Sequence, residues 1–188
     1  MSMKCYRFFG GLLTAQENWL NKMADKGYRL IRTGKILYEF KECMPNQVQY
    51  CVEFIGQKSK DNAGDYHDFL EDMGYKVFYK NINLNYSIGK LRLRPWAEEG
   101  GRIATNTTTF NRELLIVEKV NDGKPFELHT SYEDKETYLR SLRNPWLCLL
   151  LIFGVLGFWP IAVVFIIPVI VYQLQLMKIK REARTKEW

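Results

Sequence analysis

Residues 145–172 read PWLCLLLIFGVLGFWPIAVVFIIPVIVY, from Pro145 to Tyr172, twenty-eight positions without one charged side chain. A run of that length and polarity exceeds what the core helix of a small soluble domain needs and matches the roughly 20 apolar residues that a helix requires to cross hydrocarbon. Lipid supplies no hydrogen-bond partners, so the backbone of a membrane segment must satisfy itself and the run is expected to be helical. Gly154, Gly157, Pro160 and Pro168 interrupt it where one plain span needs no interruption.

Both flanks are basic. Lys135, Arg140 and Arg143 precede the run, and Lys178, Lys180, Arg181, Arg184 and Lys186 follow it against only Glu182 and Glu187. Basic residues are retained on the cytoplasmic side, which favours both ends of the segment in the cytoplasm. Leu142 to Met177 supplies about thirty-six residues, enough for two helices of about sixteen residues and about 24 Å each, joined at Gly157-Phe158-Trp159-Pro160. The expectation is a helical hairpin embedded in the cell membrane over 145–177, with a basic tail over 178–188 and the N-terminal domain in the cytoplasm. One long kinked span is the alternative.

The chain has 188 residues and a net charge of +6. The part before Pro145 is long enough to bury a core. Because the positive charge gathers beside the apolar run, its ordinary meaning is topology and contact with anionic lipid, and no nucleic-acid partner is expected. The first nineteen residues lack a long apolar region followed by a small-residue cleavage site, so no secretory signal is expected. Cys5, Cys43, Cys51 and Cys148 show no CxxC spacing and fit free thiols in a reducing compartment; Cys43 and Cys51 flank the turn 44–47, and a disulfide across that hairpin is the alternative if the domain lies outside. Asn106-Thr107-Thr108 matches the glycosylation acceptor pattern, which is short enough to arise by chance.

Working back toward the N-terminus, local patterns mark alternating strands and helices. Lys4 to Phe9 reads as a strand, and Thr14 with Glu17 as a capping box opening a helix whose apolar face is Trp19, Leu20, Met23 and Ala24. Asn18, Asn21, Lys22 and Asp25 occupy its other face, and Gly27 ends it. Ile36, Tyr38 and Phe40 alternate with Lys35, Glu39 and Lys41, after a bend or bulge at Gly34; Met44-Pro45-Asn46-Gln47 turns into a strand from Val48 to Ile55. Asp65 is the expected cap of a second helix with Tyr66, Phe69, Leu70 and Met73 as its stripe, ending at Gly74 before a strand from Tyr75 to Lys80.

Residues 23–30 and 70–77 repeat one design of helix end, Gly, Tyr, basic and aliphatic residue. The order strand, helix, strand, strand, helix, strand with two similar halves predicts an α+β domain over 1–81, a ferredoxin-like split βαβ antiparallel sheet. Extra strands are expected over 82–130, among them Leu114 to Lys119 and Phe126 to Thr130 as a hairpin about Asn121-Asp122-Gly123. A juxtamembrane helix over 131–144 then couples domain to membrane.

His67 and His129 belong to no metal-ligand spacing, and no GxGxxG, GxxxxGK[ST] or GxSxG occurs, so no metal, cofactor or catalytic residue is assigned. His67 beside Asp65 and Asp68 has the parts for acid–base work, but a solvated helix face explains it as well. Tyr38, Phe40, Tyr50, Phe54, Tyr75 and Tyr79 on neighbouring strands suit core packing, because they alternate with polar residues and no RNA-binding aromatic motif accompanies them. Arg92, Arg94 and Arg102 beside Trp96 form an exposed basic aromatic edge in this reading. Together with Arg140, Arg143, Lys178, Lys180 and Arg181 they are the candidate contacts with the lipid bilayer or with a membrane or regulatory protein partner.

Trp19-Leu20, Met23-Ala24, Gly27-Tyr28 and Leu30, followed by a strand pair and an acidic helix ending at Gly74-Tyr75, resemble a bacterial domain-of-unknown-function family, number 2812. The resemblance covers about residues 4–80, with a helix and a membrane segment beyond. It implies a small membrane-anchored protein of a kind often encoded beside PadR-like repressors, and it carries over no catalytic residues. The long 82–130 extension departs from the family's short form. The function expected is a membrane-anchored, non-enzymatic binding or regulatory module whose cytoplasmic domain meets a partner protein or a small amphipathic ligand, with envelope-stress signalling as its setting. An enzyme or carrier using a cavity on the sheet and an accessory subunit of a membrane transporter are the alternatives.

Overall fold

The computed structural model describes residues 2–56, 58, 60–84, 86–88, 91–95, 103–104, 112–126, 128 and 132–186. The chain divides into two units, Met1–Arg94 with Glu99–Leu128, and Pro95–Glu98 with His129–Trp188. The first is α+β and carries β1 (Ser2–Tyr6), α1 (Leu13–Asp25), β2 (Tyr28–Thr33), β3 (Leu37–Glu42), β4 (Val48–Phe54), α2 (Lys60–Asp72), β5 (Lys76–Lys80), β6 (Tyr86–Ile88), β7 (Leu91–Leu93), β8 (Ile103–Ala104) and β9 (Leu114–Val120). The second carries α3 (Tyr132–Val155) and α4 (Trp159–Lys186).

Three antiparallel sheets have the orders β1-β3-β2, β4-β9-β5 and β6-β7-β8. A split βαβ order would place the first strand between β4 and β5. That place is held by β9, while β1 pairs with β3, Cys5 opposite Tyr38. Composition explains the exchange. Leu114-Leu115-Ile116-Val117 is apolar on both faces, as a strand covered on both sides must be, whereas Ser2-Met3-Lys4-Cys5-Tyr6 suits an edge. The turn at Asn121-Asp122-Gly123 forms, with Gly123 at φ 76° and its N–H donated to the Asn121 side chain at 2.9 Å. The described residues beyond it form no strand, and Phe126 instead packs on Tyr75 at 5.4 Å.

The β4-β9-β5 sheet is buried on both faces. On one, Val77, Leu115 and Val117 meet Ala63 and Leu70 of α2 with Ile55. On the other, Val48, Tyr50, Val52 and Ile116 are buried, and α1 packs against β4. Trp19 stands edge-on to Tyr38 at 4.9 Å and to Phe40 at 5.6 Å. Of the six aromatic residues expected in the core, Tyr38, Phe40 and Tyr50 are buried and Phe54, Tyr75 and Tyr79 are half-buried.

Several local expectations differ. Helix α1 begins one residue before Thr14, with Leu12 at the N-cap position and no side-chain cap, and the Glu17 carboxylate accepts the Val52 N–H at 2.9 Å. Asn21, expected on a solvated face, grips Tyr50 twice: its amide donates to the Tyr50 carbonyl at 2.9 Å and its oxygen accepts the Tyr50 N–H at 2.8 Å. β4 is an edge strand of its sheet, so these two side chains satisfy backbone groups that no strand pairs.

The bulge falls between Leu30 and Arg32, and Gly34 lies in the following bend, donating to the Leu37 carbonyl at 2.8 Å. Helix α2 starts at Lys60, five residues before Asp65, and buries Ala63 and Leu70 with Tyr66 half-buried, leaving Phe69 and Met73 exposed. Gly27 and Gly74 both adopt positive φ, 81° and 83°, but only Gly27 is crowded: a Cβ there would lie 2.8 Å from the Cys43 carbonyl oxygen. All four cysteines are free.

Candidate membrane interface

The first part of the apolar run, 145–155, continues the helix before it as one helix, α3, which passes through Pro145. Its end is chemically specified. Gly157 takes φ 78°, the Phe158 N–H bonds the Phe153 carbonyl at 2.9 Å, and the Gly157 N–H bonds the Gly154 carbonyl at 3.2 Å. This is a Schellman ending with Gly at the left-handed position, and Phe158 also meets Phe153 ring to ring at 6.3 Å. Helix α4 starts two residues after Gly157, with the Ala162 N–H on the Phe158 carbonyl at 3.0 Å and Pro160 in the first turn, where a missing N–H costs nothing. The helix break therefore falls within and just before the expected Gly157–Pro160 stretch.

Side chains link α3 and α4 along their length in opposite chain directions. Phe153 and Trp146 face Phe165 at 5.5 and 6.0 Å, the Arg143 guanidinium donates to the Gln173 oxygen at 2.8 Å, and Lys180 reaches Glu136 at 3.1 Å. Among the described residues of α4, Ala162, Tyr172, Leu176 and Ile179 are buried, with Phe165 and Val169 half-buried between them, a spacing of three and four residues that marks a coiled-coil-like seam. Around the turn the exposed side chains are apolar, among them Leu151, Ile152, Val155, Leu156, Phe158, Trp159, Val163, Val164, Ile167 and Ile170. Residues Trp159–Arg181 are long and apolar enough to cross a membrane, and only 17% of the most apolar window is buried, where a soluble core helix would be mostly covered.

Polar contacts begin at a common level on both helices. Arg143 also donates to Asn144 at 2.9 Å, and farther from the turn Glu136 is held first by Lys180 and then by Arg140, which keep its carboxyl below the usual range. The structure thus gathers Arg140, Arg143 and Lys180 of the expected contacts in one collar, with Lys178 and Arg181 exposed on the same stretch of α4. Arg92 lies in β7 with Ala104 opposite. Arg94 corrects the expectation of an exposed edge: it is buried and donates to the Gly56 carbonyl at 3.2 Å, and burial pushes its pKa down against the opposing pull of Glu113. Trp96 and Arg102 lie outside the described residues, as do His129 and Asn106-Thr107-Thr108.

Polar groups inside the first unit escaped the sequence reading. Glu118, buried in β9, accepts from the Tyr50 hydroxyl at 2.8 Å and pairs with Arg29 at 2.6 Å, while the Tyr50 oxygen accepts the Leu30 N–H at 2.8 Å. Burial, and then the Glu118 charge, push the Tyr50 phenol up. The network ties the β1-β3-β2 sheet to the β4-β9-β5 sheet. Lys80 is also buried, donating to the Gly34 and Lys35 carbonyls with its ammonium 4.6 Å from the Tyr38 ring centre; burial lowers its pKa to about 8.

His67 stacks on Tyr79 at 4.9 Å and meets Asp68 at 3.1 Å and Glu71 at 3.7 Å, so Glu71 rather than Asp65 is its second acidic neighbour. Both carboxylates are exposed and well hydrated, which leaves this a polar cluster on the helix surface. The hint in sequence for Glu118 is an acidic residue directly after the apolar run Leu114-Leu115-Ile116-Val117 of the same strand.

No curated protein and no solved structure matches the chain. Residues 13–151 match the family described as Protein of unknown function (DUF2812), over more than half the chain, and the chain belongs to that family.

Proposed function

We propose that this chain is a membrane-anchored, non-enzymatic binding module. In this reading α3 and α4 form a helical hairpin embedded in the membrane, and the α+β unit works on the cytoplasmic side, where it meets a partner protein. The observation that carries the anchor is the exposed apolar surface of the α3–α4 pair, capped at one end by Arg140, Arg143, Lys178, Lys180 and Arg181. Such a surface is too large to leave in water, and the basic end suits anionic headgroups on the cytoplasmic leaflet.

The partner reading is supported by the end of α2, where Phe69 and, just beyond the helix, Met73 stand 55% and 53% exposed with Asp65 and Asp72 one turn either side of Phe69. An apolar pair with an acidic surround fits a protein surface that is apolar and basic. The test is affinity purification of the intact protein from native membranes, alongside Phe69→Ser/Met73→Ser. Loss of a stoichiometric companion in the variant supports the reading. Recovery of the unaltered protein alone, stable and monodisperse, argues against it.

A further inference from the structure

We infer that the α3–α4 pair enters the bilayer from one side and ends within the hydrocarbon, so that neither helix crosses. The inference rests on the membrane reading proposed above and adds the depth and sidedness of insertion.

The turn is built for hydrocarbon rather than for water. Val155, Leu156, Phe158 and Trp159 surround it, all exposed and none charged. Several of its backbone groups are met from within: the N–H groups of Gly157 and Phe158 bond back to α3, and those of Ile161 and Ala162 bond the Phe158 carbonyl. A loop emerging into the far aqueous phase has water for these groups, whereas one held in lipid has none. Trp159 suits a headgroup level as well as hydrocarbon, so length must decide.

From Arg143 to Val155 is thirteen residues, about 20 Å of helix, and from Trp159 to Gln173 is fifteen, about 22 Å. Hydrocarbon is about 30 Å thick. A full crossing by α4 would need its length out to about Lys178, and α3 packs beside it with Arg143 bonded to Gln173 and Asn144. Crossing would therefore draw Arg143, Asn144 and Gln173 below the headgroups together. Placing this group at the interface avoids that, and leaves the tip about two thirds of the way through.

The collar argues for the same side. Between Lys135 and Arg181 the sequence has six basic residues, Lys135, Arg140, Arg143, Lys178, Lys180 and Arg181, against one acidic residue, Glu136. All six lie on the side of the apolar segment away from the turn, where anionic headgroups neutralise them.

The experiment uses the full-length chain with Cys5, Cys43, Cys51 and Cys148 replaced by Ala. Single cysteines are then placed at Thr137, Leu156 and Ala183, with a membrane-impermeant maleimide as the probe on sealed vesicles of known orientation. Thr137→Cys and Ala183→Cys are expected to label from the same side, and Leu156→Cys from neither side until detergent is added.

Labelling of Leu156→Cys from either face of sealed vesicles, or of Ala183→Cys from the face opposite Thr137→Cys, overturns the inference while leaving the anchor in place. Loss of the cysteine-free parent from membranes in alkaline carbonate overturns the anchor itself. A second variant needs no labelling: Leu156→Lys in the unaltered background puts a charge at the tip. It is expected to lower carbonate-resistant protein several-fold, and unchanged retention refutes one-sided insertion.

Discussion

Replacing Glu118 by Gln and Tyr50 by Phe, singly and together, tests whether the two main sheets are joined by one polar network. Glu118 is 2% exposed and receives the Tyr50 hydroxyl at 2.8 Å and the Arg29 guanidinium at 2.6 Å, while the Tyr50 oxygen takes the Leu30 N–H at 2.8 Å. Tyr50→Phe strands the buried Leu30 N–H and removes one bond to a carboxylate, for a cost of about 2–3 kcal/mol. Glu118→Gln keeps the shape but faces Arg29 with a neutral amide. Arg29 is 30% exposed and recovers some hydration, so about 2 kcal/mol is expected rather than the 3–5 kcal/mol of a fully buried pair. The hydroxyl–carboxylate bond is counted in both single variants, so the double variant should cost about 1 kcal/mol less than their sum. The assay is equilibrium urea unfolding of the full-length chain in mild detergent, followed by near-ultraviolet aromatic signal from the Trp19, Tyr38 and Phe40 cluster. Additive costs within about 0.3 kcal/mol would refute the coupling.

Three further outcomes follow from single contacts. Lys80 is lowered from 10.5 to about 8 by burial, so between those values the unfolded chain binds the proton that the folded chain has lost, and stability rises with pH by up to about 3 kcal/mol; Lys80→Met should lack this rise, and matching pH profiles of the two proteins would contradict it. Subtracting the two profiles removes the opposing contribution of tyrosines whose pKa is raised by burial, Tyr38 and Tyr66 among them. Gly27→Ala should cost about 3 kcal/mol and Gly74→Ala about 1 kcal/mol by the same urea assay, since both need positive φ but only Gly27 has a carbonyl 2.8 Å from the new Cβ; equal costs would mean the loop of Cys43 moves aside. Asn21→Ala leaves the Tyr50 N–H and carbonyl without the side chain that meets them at the β4 edge, costs about 2 kcal/mol, and should raise the hydrogen-exchange rate of the Tyr50 amide; unchanged exchange would refute edge protection.

Local patterns are legible because period, turn chemistry and apolar length are properties of neighbouring residues. Trp19, Leu20, Met23 and Ala24 placed α1, Gly27 and Gly74 ended their helices, and the Gly157–Pro160 stretch located the break between α3 and α4. The same reasoning missed the start of α2, because Lys60 to Gly64 has no apolar rhythm of its own and becomes helical by extending a turn that Leu70 and Ala63 anchor in the core. It also assigned Asn21 and Glu17 to local roles, a solvated face and a cap. Nothing in their own segment shows that an edge strand about 30 residues later, with free N–H and carbonyl groups, competes for them.

What the sequence determined by itself is the α+β class of the first unit, the apolar character of residues 145–172 and the basic residues that frame them. The tertiary structure alone decided that β9 separates β4 from β5 and sends β1 to the edge beside β3, that Arg94 is buried, and that Glu118 joins two sheets. The reason is physical. Which strand takes a central place depends on how its two faces fare in burial against every rival strand, a comparison made across the whole chain, whereas helix starts, turns and apolar lengths are settled within a few residues.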